Sequence, residues 1–139
     1  MKAKSFMNRV EKIDCLIKNK LIEREQWKDI AMGITARLDG EKVKSSGNND
    51  KIGDAIARFV DLEAEINHEI DRMIDAKREI LEIIEQLPPE QYDILHARYI
   101  QKKSFKEIAV DKKISYSMVT TLHGNALKSV QILLDERMN

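Results

Sequence analysis

Apolar residues recur at helical spacing through most of the chain. Phe6, Val10, Ile13, Ile17 and Leu21 step by three and four, and Trp27, Ala31 and Ile34 resume the row after Arg24. That spacing predicts a helix from about Ser5 to Arg37. Between Asp39 and Asp50 the pattern stops. Gly40, Ser45, Ser46, Gly47, Asn48 and Asn49 gather there, with Val43 the only large apolar residue. Such a stretch predicts a flexible loop over 39–50.

From Lys51 to Leu87 there is no proline and the only glycine is Gly53. Ile52, Phe59, Ile66, Met73, Ile80 and Leu87 recur every seven residues, and Ile56, Ile70 and Ile84 form a second row interrupted by Glu63 and Lys77. This is the pattern of a long amphipathic helix with heptad character. Its apolar stripe needs a partner. The first helix, folded back as an antiparallel hairpin, is one; a second copy of the chain is the other.

The sequence LPPE at Leu87–Glu90 ends that helix, because the residue before a proline leaves the helical region and a proline can then occupy a first turn. Shorter helices follow. One carries Ile94, Leu95, Arg98 and Tyr99. Ser104 opens another, and SFKE has the form of a capping box between Ser104 and Glu107. Ser115 can cap a third, bearing Met118, Val119, Leu122, Ala126, Leu127 and Val130. No strand-like alternation of useful length occurs. The expected fold is all-α: a long N-terminal antiparallel helical hairpin over 1–87, serving as a spacer or oligomerisation arm, then a C-terminal three-helix unit over 88–139.

The last two helices raise a sharper question. A helix-turn-helix needs a small residue where its helices approach, an apolar plug at the turn and an apolar anchor on the second helix. Ala109, Ile114 and Val119, spaced by five, supply these, with Ile108 and Leu122 on the same buried side. The opposite face carries Tyr116, Ser117, Thr120, Thr121, His123 and Asn125, side chains suited to base edges and phosphates. The pattern alone fits a DNA reader and an ordinary helical pair equally. Gly124 is a poor helix former within this helix.

Composition narrows the class. Of the 139 residues, 35% are charged and 5% aromatic, and only seven are Gly or Pro, the balance of a helix-rich soluble chain. No run approaches the length of a membrane span, and "MKAKSFMNRVEKID" has no signal-peptide core. The lone Cys15 can form no intrachain disulfide, which agrees with a reducing cytoplasm. Net charge is zero, but the distribution is uneven: +3 over 1–50, −5 over 51–87 and +2 over 88–139. A basic end beyond an acidic middle is compatible with nucleic-acid binding at that end.

Enzyme chemistry finds no foothold. His68, His96 and His123 form no metal-ligand spacing, Cys15 sits beside Asp14 with no histidine near it, and no phosphate loop opens at Gly47 or Gly53. The carboxylates of 54–85 read as a solvated face. No catalytic residue, metal or cofactor is expected.

The segment "LPPEQYDILHARYIQKKSFKEIAVDKKISYSMVTTLHGNALKSV" resembles region 4 of sigma-70-type RNA polymerase sigma factors. The resemblance rests on Leu87-Pro88, Glu90, Arg98-Tyr99, Ser104, Glu107-Ile108-Ala109, Ile114-Ser115, Ser117, Val119 and Ala126-Leu127, in that order. The whole chain further resembles small sigma-factor-like regulators of phages and prophages of Gram-positive bacteria, through Asp61–Asn67 and Leu122–Leu127. It implies double-stranded DNA as a partner, host RNA polymerase as a second, and transcriptional control of phage genes as the function. Tyr116, Ser117, Thr120 and Thr121 would then face the groove, with His123 and Asn125 extending the reading set. Lys102, Lys103, Lys106, Lys112, Lys113 and Ser115 would meet phosphates.

Departures keep other readings open. Nothing upstream resembles the sigma regions that bind the core enzyme or melt DNA, and the second helix lacks arginine. A small terminase-like DNA-packaging protein also joins a helix-turn-helix to helical oligomerisation arms. A polymerase-docking module without DNA binding is the third reading. A homodimer through the N-terminal helices is compatible with all three.

Overall fold

The computed structural model describes the backbone of residues 1–40 and 46–138 and the side chains of 1–33 and 50–138. The described residues form helices and no strands. They are α1 (Ala3–Met7), α2 (Arg9–Gly40), α3 (Ser46–Ile84), α4 (Pro89–Leu95), α5 (Phe105–Lys112) and α6 (Tyr116–Met138), with a π-helical turn at His96–Ile100 directly after α4.

The expected loop over 39–50 needs correcting at both ends. Helical backbone reaches Gly40 and resumes at Ser46, while 41–45 lie outside the described residues. Poor helix formers cost only about 0.5–1 kcal/mol each, and extending an existing helix is far easier than starting one, so weak propensity yields at a helix end. The expected division at residue 87 also differs from the observed packing. One compact unit comprises Ile13–Arg72, and the other joins Met1–Lys12 to Met73–Asn139.

In the Ile13–Arg72 unit the two helical segments run antiparallel. Ion pairs link Lys20 to Glu65 at 3.4 Å, Glu23 to Arg58 at 3.8 Å and Arg24 to Glu63 at 3.8 Å, so the numbering falls on one segment as it rises on the other. Ile13 and Ile17 are buried on α2, and Ala55, Leu62 and Ile66 on α3. Of the two apolar rows read on α3, the one through Ile52, Phe59 and Ile66 turns inward. Ile56 and Ile70 of the other row are exposed.

The second unit is built around α6. Helices α1, α4 and α5 all pack on it. Phe6, Met7 and Val10 from the N-terminal segment, Ile80, Ile83 and Ile84 from α3, Ile94 and Leu95 from α4, Ile108 from α5 and Val119, Ala126 and Val130 from α6 are almost wholly enclosed. Each such large side chain contributes about 1.5–3 kcal/mol of burial. A polar clasp fixes the N-terminus. The Ala3 N–H donates to Gln131 Oε1 at 2.7 Å, and Gln131 Nε2 donates to the Met1 carbonyl at 3.2 Å. Arg9 adds an ion pair to Glu79 at 2.8 Å.

The Leu87–Glu90 boundary follows the sequence logic. Helix α3 ends at Ile84 and tightens through Gln86 N–H to Ile83 and Leu87 N–H to Ile84. Pro88 is extended (φ −54°, ψ 148°), Pro89 begins α4 and Glu90 sits in its first turn. The helix after it departs from regularity: the Gln101 N–H reaches five residues back to the His96 carbonyl at 3.0 Å, the bond that defines a π turn.

Candidate nucleic-acid interface

The turn between α5 and α6 explains the five-residue spacing seen in the sequence. Lys113, directly after α5, is left-handed (φ 56°, ψ 44°). Its N–H donates to the Val110 carbonyl at 3.3 Å, and the Ile114 N–H donates to the Ala109 carbonyl at 3.1 Å. This pair of bonds is a Schellman motif, which brings the residue two past the helix end against the helix's fourth-last residue. The Ile114 backbone is thus returned onto Ala109, the small residue of the sequence pattern. Val119 is fully buried as the anchor and Ile108 fully buried beneath α5; Ala109, Ile114 and Leu122 are half-buried.

Both helices are capped as their sequences predict. Ser104 Oγ accepts from the Glu107 N–H at 3.1 Å and donates to Glu107 Oε1 at 3.2 Å. Ser115 Oγ accepts from the Met118 N–H at 3.1 Å. That bond engages the Ser115 hydroxyl, nominated above for a phosphate, as a helix cap.

The nominated reading residues divide. Tyr116, Ser117, Thr121 and Asn125 are exposed. Thr120 is half-buried and donates its hydroxyl back to the Ser117 carbonyl at 2.8 Å. His123 does not join them. Its Nε2 lies 2.7 Å from Tyr99 Oη, its ring stacks on Tyr99 at 5.6 Å and meets Phe105 edge-on at 4.8 Å. Burial, with help from the Arg98 and Lys4 charges, lowers its pKa to about 4. A neutral histidine held in an aromatic cluster positions α6 against the π turn and is poorly placed to read bases. The buried Tyr99 hydroxyl is correspondingly pushed above its usual pKa, mainly by burial.

The nominated cations divide too. Lys103 pairs with Asp111 at 2.8 Å and Lys112 with Asp93 at 2.6 Å, which ties two charges to the protein's own carboxylates. Lys102, Lys106 and Lys113 are exposed, and among the described residues Lys106 and Lys113 make no ion pair. Arg98 joins this surface although it is not among the DNA-contacting residues expected from the sequence. Its guanidinium lies over the Phe105 ring at 5.3 Å and donates to the Lys103 carbonyl at 3.2 Å. With Ser104, Phe105, Lys106 and Tyr116 it lines an open cleft of about 520 Å³ beside the start of α6. The neighbour of Arg98, Tyr99, is fixed by the aromatic cluster, a contact across 24 positions that the sequence alone does not signal.

Among the described residues no cluster of histidine, cysteine and carboxylate side chains could hold a metal, and no helix is long and apolar enough to cross a membrane.

A short helix, a tight apolar turn and a second helix with a polar outer face define a helix-turn-helix domain. Residues 77–130 match the family model described as Sigma-70, region 4, and so this part of the chain carries a sigma-70 region 4-like helix-turn-helix domain. The match covers well under half of the chain and begins within α3, ahead of the Pro88 boundary. Searches of curated proteins and of solved structures found no match.

Proposed function

We propose that the protein is a transcriptional regulator of phage or prophage genes, working in the cytoplasm, whose region 4-like domain binds promoter DNA and contacts host RNA polymerase. The observation that carries this reading is the coincidence of the family match with the geometry: 77–130 contains the Schellman turn and the exposed face of α6. Tyr116, Ser117, Thr121 and Asn125 are the base-reading candidates, with Thr120 at the margin. Lys102, Lys106, Lys113 and Arg98 are the phosphate candidates. The Ile13–Arg72 unit serves as a spacer or dimerisation arm; exposed Ile22, Ile30, Ile56, Val60 and Ile70 support the second role.

The test is binding of the purified protein to duplex fragments at two salt concentrations. Binding that falls steeply with salt is expected, since each neutralised phosphate contributes about −0.9 to the slope of log affinity against log salt. Lys106→Ala with Lys113→Ala should weaken binding to all duplexes and flatten that slope. Retained polymerase binding with no duplex bound at low salt would favour the docking-module reading.

A further inference from the structure

The outward face of α6 has an unusual chemistry for a DNA reader. Ser117, Thr121, Gly124 and Lys128 follow one another at steps of four, three and four, the repeat of a single helix face. Met118 and Asn125, seven apart, form the adjoining row, and both are exposed. From Tyr116 to Leu127 there is no arginine or lysine. The one histidine is turned into the aromatic cluster and held neutral. Guanine is most often read by a bidentate arginine or lysine on its O6 and N7. This face offers neither over the first three turns of α6.

What it does offer is methyl groups, one amide and the hydroxyls of Ser117 and Thr121, which suit either kind of base pair. Met118 is 52% exposed, an apolar side chain at the edge of the reading face. Thr121 presents a methyl beside its hydroxyl. Thr120 donates its hydroxyl to the Ser117 carbonyl, which leaves that hydroxyl only its acceptor role toward an approaching surface. The thymine C5 methyl projects into the major groove and is read by apolar contact, while adenine N6 and N7 suit the amide of asparagine. We infer that this face of α6 selects A·T pairs in the major groove, with Met118 and Thr121 against thymine methyls and Asn125 on adenine. The inference rests on the proposed DNA-binding function and sets the class of sequence it takes.

The probes are three short mixed-sequence duplexes: one of A·T pairs only, one of G·C pairs only, and the A·T duplex with uracil in place of every thymine. Uracil removes the methyl and leaves the charge and pairing unchanged. The A·T duplex should bind about tenfold more tightly than the G·C duplex, and the uracil duplex should lose about threefold or more of that advantage. Thr121→Val keeps methyls and should keep the preference; Thr121→Ser keeps the hydroxyl and should reduce it. Equal affinity for the thymine and uracil duplexes, or preference for G·C, would overturn the inference while leaving DNA binding intact. Failure of all three duplexes to bind at low salt would remove the DNA-binding function itself, a separate outcome.

Discussion

The two compact units bury their apolar residues to very different depths. In Ile13–Arg72 each helix is covered on one side, so Ile22, Ile30, Ile56 and Val60 stay 45–57% exposed while Leu62 is fully enclosed. Its ion pairs, long at 3.4–3.8 Å and partly open to solvent, add little, since such pairs are worth about 0–1 kcal/mol. In the unit around α6, three helices converge on one, and Ile80, Ile84, Leu95, Ile108 and Val119 have no exposed surface worth the name. The difference teaches where precision resides. A two-helix layer holds a shape only loosely, whereas a helix packed on several sides has one allowed position. The face offered for DNA belongs to the second kind.

The largest test of this contrast is a pair of truncations. Phe6→Ala, at a site 3% exposed, should destabilise the protein by about 3–5 kcal/mol. Ile56→Ala, at a site 51% exposed, should change stability by no more than about 0.5 kcal/mol. Chemical denaturation measures both. Comparable losses would mean that the outer face of the hairpin is covered in solution, and sedimentation would then show a homodimer.

A smaller effect should follow from acid. His123 has a folded pKa near 4 against an ordinary value of 6.5, so the unfolded chain binds the proton more readily between those values. Its contribution is complete above about pH 6.5 and is lost as pH falls toward 4, by roughly 1–2 kcal/mol once solvent screening is allowed for. His123→Phe should flatten that part of the stability profile. An unchanged profile would place the histidine outside the cluster.

The smallest effect has two signs. An added Cβ at Gly124 meets nothing within 4 Å, so the fold leaves room for a side chain there. Gly124→Ala should therefore raise stability by about 0.8–1 kcal/mol, the helix-propensity difference. The same change should weaken duplex binding, because Gly124 lies on the outward face beside Thr121, where a side chain holds the helix away from the groove. Unchanged binding would move the DNA contact off this face.

Much of the fold was legible because it rests on periodicity and caps. The rows through Val10 and Ile17, the Pro88 stop and the Ser104 and Ser115 caps are local signals, and each is seen in the structure. The site was legible only in part. Ala109, Ile114 and Val119 announced the turn, but no sequence pattern said that Lys103 and Lys112 would face Asp111 and Asp93, or that His123 would stack on Tyr99. Those pair residues 8, 19 and 24 positions apart, which only the tertiary fold brings together. The packing of Met1–Lys12 with the unit around α6 was the least legible, since its partner Gln131 lies 128 positions from Ala3.

That distance has a consequence for synthesis. Residues 1–12 are made well before α6, yet Phe6, Met7 and Val10 belong to the unit built around it. Translation adds about 5–20 residues each second, so these apolar side chains wait several seconds for their cover. Closing so long a loop adds little entropic cost, because that cost grows only with the logarithm of length. Until α6 has been made, Phe6, Met7 and Val10 lack the surface that covers them, so any product ending before α6 would leave these apolar side chains open to solvent.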